Sequence, residues 1–155
     1  HVKNENTKKA LSLSDAGIVL GFRDKFAEIE SYGIDMIFCS DDEATAFAGT
    51  ENLDDAIKFF KEQSYMIAIT KGAEGSVVIN NGQEIFSPAM PITPVDTNGA
   101  GDMYAGSFMH AYLNGLDLSE CAEFSNFASS KIVETFGPRL TPEGYKEVLN
   151  KLKKS

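Results

Sequence analysis

The sequence predicts an α/β fold in which a mostly parallel sheet is flanked by helices and carries one antiparallel hairpin. Three observations predict it: unbroken apolar runs at residues 35–39 and 65–70, helical apolar spacing in the gaps, and an Asn81-Gly82 dipeptide between two strand-like runs. Runs that are apolar throughout suit strands buried on both faces, as in parallel sheets. Strand and helix patterns in alternation are the mark of an α/β layer structure.

Each element has its own reason. Phe22, Phe26 and Ile29 fall on one helical face ahead of Gly33. The strand Asp35 to Cys39 follows. Leu53, Ala56, Ile57 and Phe60 then recur at i, i+3, i+4 and i+7, the spacing of an amphipathic helix. After the strand Tyr65 to Thr70, the runs 76–80 and 83–86 flank Asn81-Gly82, which favours the positive φ of a tight hairpin turn. Ser87 to Pro94 holds three prolines and reads as extended, because each biases its predecessor away from helix.

Small residues from Gly99 to Asn114 predict a thin, closely packed helix that stops at Gly115. A second runs from about Leu118 to Phe136, with Cys121, Ala122, Ser125, Ala128, Ile132, Val133 and Phe136 on one stripe, and Gly137-Pro138 ends it. A third, Pro142 to Lys153, turns Tyr145, Val148, Leu149 and Leu152 inward. No repeat, low-complexity tract or linker divides the chain, so residues 1–155 are expected to form a single domain.

Composition narrows the functions. The 155 residues fit about one domain, and 43% hydrophobic content supplies a core. With 14 Lys and Arg against 23 Asp and Glu, the formal charge is -9. Nucleic acid and anionic membrane surfaces need concentrated positive charge, so neither is an expected partner. Lysines gather at the ends (Lys3, Lys8, Lys9, Lys146, Lys151, Lys153, Lys154), and the middle is acidic. A phosphate bound there must be held by backbone amides, a metal ion or one well-placed cation.

Cys39 and Cys121 have neither metal-ligand nor disulfide spacing, which fits a reducing, cytoplasmic setting. No apolar run approaches the roughly 18 residues of a membrane span, and residues 1–9 lack the apolar centre of a signal peptide. The chain opens on His1 rather than Met, within a Lys/Asn-rich stretch, so a fragment or processed chain is expected.

The segment Val95-Asp96-Thr97-Asn98-Gly99-Ala100-Gly101-Asp102 carries the sharpest chemical signal. It sets a Gly-Ala-Gly turn at a helix start, between two carboxylates six positions apart. Without bulky side chains the amides of Gly99, Ala100 and Gly101 can approach an anion, and the helix dipole adds about half a positive charge there. A carboxylate beside bound phosphate is repelled unless it serves another end. Asp102 is then either a general base facing an incoming hydroxyl or a helix-capping residue beside glycines that serve packing. Gly99-Ala100-Gly101 lacks the third Gly and the downstream acid of a dinucleotide fingerprint.

Asp96 to Asp102 resembles the second signature of the PfkB, or ribokinase-like, family of carbohydrate and nucleoside kinases. Thr70-Lys71-Gly72-Ala73-Glu74-Gly75-Ser76 resembles that family's Thr-x-Gly-x-x-Gly nucleotide turn, between a buried strand and a hairpin. Leu13-Ser14-Asp15, Glu43-Ala44 and the run from Ala128 to Leu140 resemble the adenosine-kinase-like branch. The likeness covers nearly the whole chain but only the C-terminal, ATP-binding half of such an enzyme.

The resemblance implies a ribokinase-like fold and ATP-dependent phosphorylation of a hydroxymethyl group on a sugar or nucleoside, possible substrates including adenosine. It makes Asp102 the base and Gly99, Ala100 and Gly101 the anion hole. Thr70, Gly72 and Gly75 would lie along the ATP site, with Asn126 near the adenine. Asp96 and Thr97 would flank the triphosphate or a monovalent-cation loop, such as one for K+. Mg2+ would bridge the β- and γ-phosphates. Glu43 would reach the metal through water, although Ser40-Asp41-Asp42-Glu43 has Ser40 where the family often has Asn. Asp41 and Asp42 read equally as the acidic first turn of a helix. Lys71 reads as a phosphate contact or a solvated turn lysine.

His110 has no second ligand at metal spacing and reads as a packed or surface residue. Phe124 and Phe127 read as packing or as lining for a base pocket. The expected partner is a small sugar or nucleoside. Two arrangements stay open for the acceptor side: pairing of two such chains, or completion by an N-terminal half. A different class of function also stays open, a nucleotide-binding fragment that does no chemistry alone.

Overall fold

The computed structural model describes residues 7–152. Strands β1 (Ala10–Ser12), β2 (Met36–Ser40), β3 (Met66–Thr70), β4 (Gly75–Asn80) and β5 (Gln83–Pro88) join one sheet in the order β1-β2-β3-β4-β5. Helices α1 (Ala16–Gly21), α2 (Arg23–Ser31), α3 (Asp41–Ala48) and α4 (Leu53–Lys61) precede the hairpin. Helices α5 (Ala100–Leu113), α6 (Leu118–Val133) and α7 (Pro142–Leu152) follow it. The fold is α/β, with a mostly parallel sheet flanked by helices, as the sequence predicts. No helix among the described residues is long and apolar enough to cross a membrane.

The chain divides into two compact units. The first comprises the described part of His1–Ile69 with Ile79–Glu84. In it β1 runs parallel to β2, pairing Ala10 with Met36, Leu11 with Ile37 and Ser12 with Phe38. Met36 to Cys39 and Met66 to Ile69 are buried residue after residue, the signature of strands covered on both faces. Helix α4 buries Ala56 and Phe60, and Phe47 of α3 stacks on Phe60 with ring centroids 5.9 Å apart. Its cap is Asn52, whose side chain accepts the Asp55 N–H at 2.9 Å.

The stripe expected at residues 22–29 is broken. Phe22 stands between α1 and α2 with non-helical backbone and is 59% exposed. Phe26 alone packs, edge-on to Phe47 at 6.0 Å. The apolar pattern does not predict helix α1; Asp15 caps it by accepting the Ile18 N–H, and Val19 is its buried residue.

The second unit comprises Thr70–Val78 with the described part of Ile85–Ser155. Its core is α5 against α6, with Tyr104, Phe108 and Ala111 facing inward from one and Cys121, Ala128 and Ile132 from the other. The Tyr104 hydroxyl bonds the Ser76 hydroxyl at 2.9 Å in the buried interior.

Two expectations fail here. Helix α6 ends at Val133, because the chain turns through Glu134 and reaches Gly137 at φ 90°, so Phe136 leaves the stripe and is 89% exposed. Helix α7 buries Val148, while Tyr145 and Leu149 are 44% and 46% exposed. Lys153 lies outside the described residues. Both cysteines are buried and free. Burial pushes the Cys121 thiol up to about 11 and that of Cys39 well above the ordinary range.

Candidate functional site

The segment before α5 is pinned at both ends. Val95 and Asp96 donate their N–H groups to the Val133 carbonyl, at 2.9 and 3.2 Å. The Asp96 carboxylate then accepts the Asn98 N–H on one oxygen and the Gly137 N–H on the other, each at 2.9 Å. These main-chain donors, Asn98 first, hold its carboxyl below the usual aspartate range. Asp96 lines neither cavity described below. Its geometry is that of a latch on the loop.

Gly99 caps α5 at φ 80°, where a Cβ would also press within 3.0 Å of the Pro138 main chain. Of the three amides expected to bind an anion, Ala100 is engaged: its N–H donates to the Thr97 carbonyl at 3.2 Å. The N–H groups of Gly99, Gly101 and Asp102 meet no acceptor among the described residues. Helix starts leave such donors unsatisfied, and these three sit at the positive end of the α5 dipole. The open donors at this helix start are thus those of Gly99, Gly101 and Asp102, while the Thr97 carbonyl occupies that of Ala100.

A cavity of about 410 Å³ lies in the second unit. Thr70, Gly72, Gly75, Thr97, Ala100, Gly101 and Asn126, all singled out in the sequence, line it. A Cβ on Gly72 or Gly101 would meet nothing within 4 Å, so hydrogen in place of a side chain leaves open the space a ligand would fill. Gly75 differs. At φ 115° its missing Cβ would fall on the Ser87 carbonyl oxygen and 2.6 Å from the Ala89 nitrogen, so its glycine serves a close main-chain approach.

Asn126 also takes a different part. Its side-chain amide donates to the Ser87 carbonyl at 2.9 Å, the Ser87 hydroxyl at 3.0 Å and the Pro88 carbonyl at 3.3 Å. Those donors hold the exit of the hairpin. Lys71 pairs with Glu74 at 2.8 Å in the turn after β3.

A second cavity, about 400 Å³, adjoins Gly99 and Asp102 and is lined further by Met103, His110, Pro138 and Arg139. Asp102 is exposed at the third position of α5. His110 is exposed on the same helix. Phe124 is buried and lines this second cavity, and Lys131 and Lys151 lie over the Phe127 ring.

Glu43 belongs to the first unit. Its carboxylate accepts the Ser40 N–H at 3.0 Å while the Ser40 hydroxyl accepts the Glu43 N–H at 3.3 Å, a reciprocal capping box for α3. Among the described residues no three His, Cys, Asp or Glu gather as a metal site.

Sequence reasoning missed several residues lining the 410 Å³ cavity: Met90, Pro91, Ile92, Ser129, Ser130 and Val133. The proline-rich stretch was recognised as extended, but nothing in its composition shows what it faces. Ser129 lies three residues after Asn126, one turn along the same helical face, and that spacing was the available signal.

The sequence and the fold are similar to those of known proteins. The model for pfkB family carbohydrate kinases matches residues 2–143. A crystal structure of adenosine kinase from Sinorhizobium meliloti superposes with a TM-score of 0.86 at 32% identity, covering 93% of this chain and 45% of that one. Cytidine kinase from Thermococcus kodakarensis is 31% identical over 119 residues, 74% of this chain and 42% of the relative. Adenosine kinase from Dictyostelium discoideum is 27% identical over 148 residues, 86% of this chain and 43% of the relative. The chain therefore spans less than half the length of these relatives.

Proposed function

Because the chain belongs to the pfkB family of carbohydrate kinases, we propose that it is the C-terminal, nucleotide-binding part of an ATP-dependent sugar or nucleoside kinase. One observation carries the reading: the acceptorless amides of Gly99, Gly101 and Asp102 stand at a helix start that borders a cavity kept open by Gly72 and Gly101. The volume suits a small-molecule site, and Met90, Pro91, Ile92 and Val133 offer an apolar wall for a base. The adenosine and cytidine kinases among its relatives favour a nucleoside acceptor.

ATP would bring the transferable phosphoryl group and leave as ADP, and Mg2+ bound with it would offset the phosphate charge. The chain's own residues do the rest. The Gly99 and Gly101 amides hold phosphoryl oxygens in fixed directions, which needs no reorganisation as charge develops. Thr70, Gly72 and Thr97 border the nucleotide, and Asn126 holds the wall beside it. Asp102 accepts the proton of the attacking hydroxyl from the side of the second cavity, a contribution of about 10²- to 10⁴-fold in rate. Glu43 caps α3 through Ser40.

A second reading, favoured by coverage of less than half of each relative, is that the isolated chain binds nucleotide without turning it over. Calorimetric titration with ATP and Mg2+, followed by ATP consumption with adenosine, ribose or fructose, separates the two. Saturable binding with little turnover is expected of the isolated chain, and no binding at millimolar ATP overturns both readings. Wherever turnover occurs, Asp102→Asn abolishes it while leaving binding intact; undiminished turnover in that variant shows that the base is another group.

A further inference from the structure

Resting on that reading, we propose that Ser129 is a positioning residue for the anion-binding turn. Asn126 and Ser129 are one helical turn apart on the α6 face that lines the cavity. Each donates to the main chain of a different wall. Asn126 reaches Ser87 and Pro88, and the Ser129 hydroxyl donates to the Ala100 carbonyl at 3.1 Å.

The identity of that carbonyl matters. The Ala100 C=O and the Gly101 N–H belong to one planar peptide unit and point in opposite directions. A hydroxyl that fixes the carbonyl therefore fixes the line along which Gly101 presents its N–H, one of the three donors without an acceptor. A hydrogen bond to the carbonyl also polarises the peptide and strengthens the N–H on its far side. Ser129 touches no phosphate in this arrangement; it acts through the Ala100–Gly101 peptide.

The test compares Ser129→Ala with Ser129→Thr, which restores a hydroxyl, in the full chain. Three quantities are read: ATP-Mg2+ affinity by calorimetry, the Gly101 amide resonance by ¹⁵N NMR, and the thermal unfolding midpoint. Ser129→Ala is expected to weaken ATP binding about five- to tenfold, the worth of one neutral hydrogen bond, and to move the Gly101 resonance. Ser129→Thr is expected to return both toward wild type. Wild-type affinity and an unmoved Gly101 resonance in Ser129→Ala overturn the proposal. So does a loss of affinity that only follows a lowered unfolding midpoint, which marks a packing role. If the wild-type chain binds no ATP, the functional reading falls, and an unmoved Gly101 resonance separately decides against Ser129 as the holder of the turn.

Discussion

The Asp96 carboxylate accepts the main-chain N–H of Gly137 at 2.9 Å, across 41 residues of sequence. With the second bond from Asn98 it ties the loop before α5 to the turn after α6. Its carboxyl is held below the ordinary value, so the folded state prefers the ion. That stabilisation is complete above the unfolded aspartate pKa of about 3.9 and is lost as pH falls through the lower folded value. Asp96→Asn should lower the unfolding midpoint at neutral pH, and the gap from wild type should close as the buffer is taken well below pH 4. Thermal melts of both proteins across that range check it; a gap that stays constant with pH assigns the effect to something other than the ion.

Gly101 separates ligand space from fold. A methyl there meets nothing within 4 Å, and alanine is the better helix former by roughly 0.5–1 kcal/mol. Gly101→Ala should therefore raise stability by about that amount and weaken ATP binding, while larger Gly101→Leu removes binding. Chemical denaturation and calorimetry on the same samples measure the two effects. A stabilised variant that binds as wild type places the phosphate elsewhere.

The legibility of the fold follows from how much each element buries. β2 and β3 were readable because their covered faces make Met36 to Cys39 and Met66 to Ile69 continuously apolar. β1, only Ala10-Leu11-Ser12, has no room to show a period, and its pairing with β2 defines it. Helix α1, Ala16 to Gly21, combines two glycines with a short apolar run, a pattern that reads as neither helix nor strand. Of the site, the glycine turns were legible because they need special backbone. Their individual duties were not. Gly75 and Gly101 look alike in sequence, yet one yields space to Ser87 and the other to open cavity. The Thr97 carbonyl that occupies Ala100 and the Ser129 hydroxyl on its far side depend on distances that no spacing rule gives.

Glu43 offers a clean separation of a structural from a metal-linked role. Glu43→Ala removes one half of the α3 capping box and should cost about 0.5–2 kcal/mol of stability, with ATP affinity equal to wild type in Mg2+ and in its absence. Denaturant unfolding and calorimetry decide. A Mg2+-dependent loss of affinity in Glu43→Ala would instead put this carboxylate in the metal's outer sphere.

Tyr104 and Ser76 satisfy each other in the interior, with hydroxyls 2.9 Å apart. Burial drives the phenol far above its ordinary pKa, so it stays protonated throughout the working pH range. Tyr104→Phe should cost about 1–2 kcal/mol by leaving Ser76 without its partner. Adding Ser76→Ala should cost less than the sum of the single changes. A double-mutant cycle by denaturant unfolding gives the coupling directly; strict additivity shows that the pair contributes nothing.

The main chains at Gly75 and Ser87 approach so closely that not even a methyl fits between them, and Asn126 fastens the same exit from the other side. Close main-chain contact and a buried amide thus fix this part of the hairpin exit together. If the cavity holds a nucleobase as proposed, room for bases of different size would come from the proline-punctuated strip from Met90 to Pro94, which lines the same cavity.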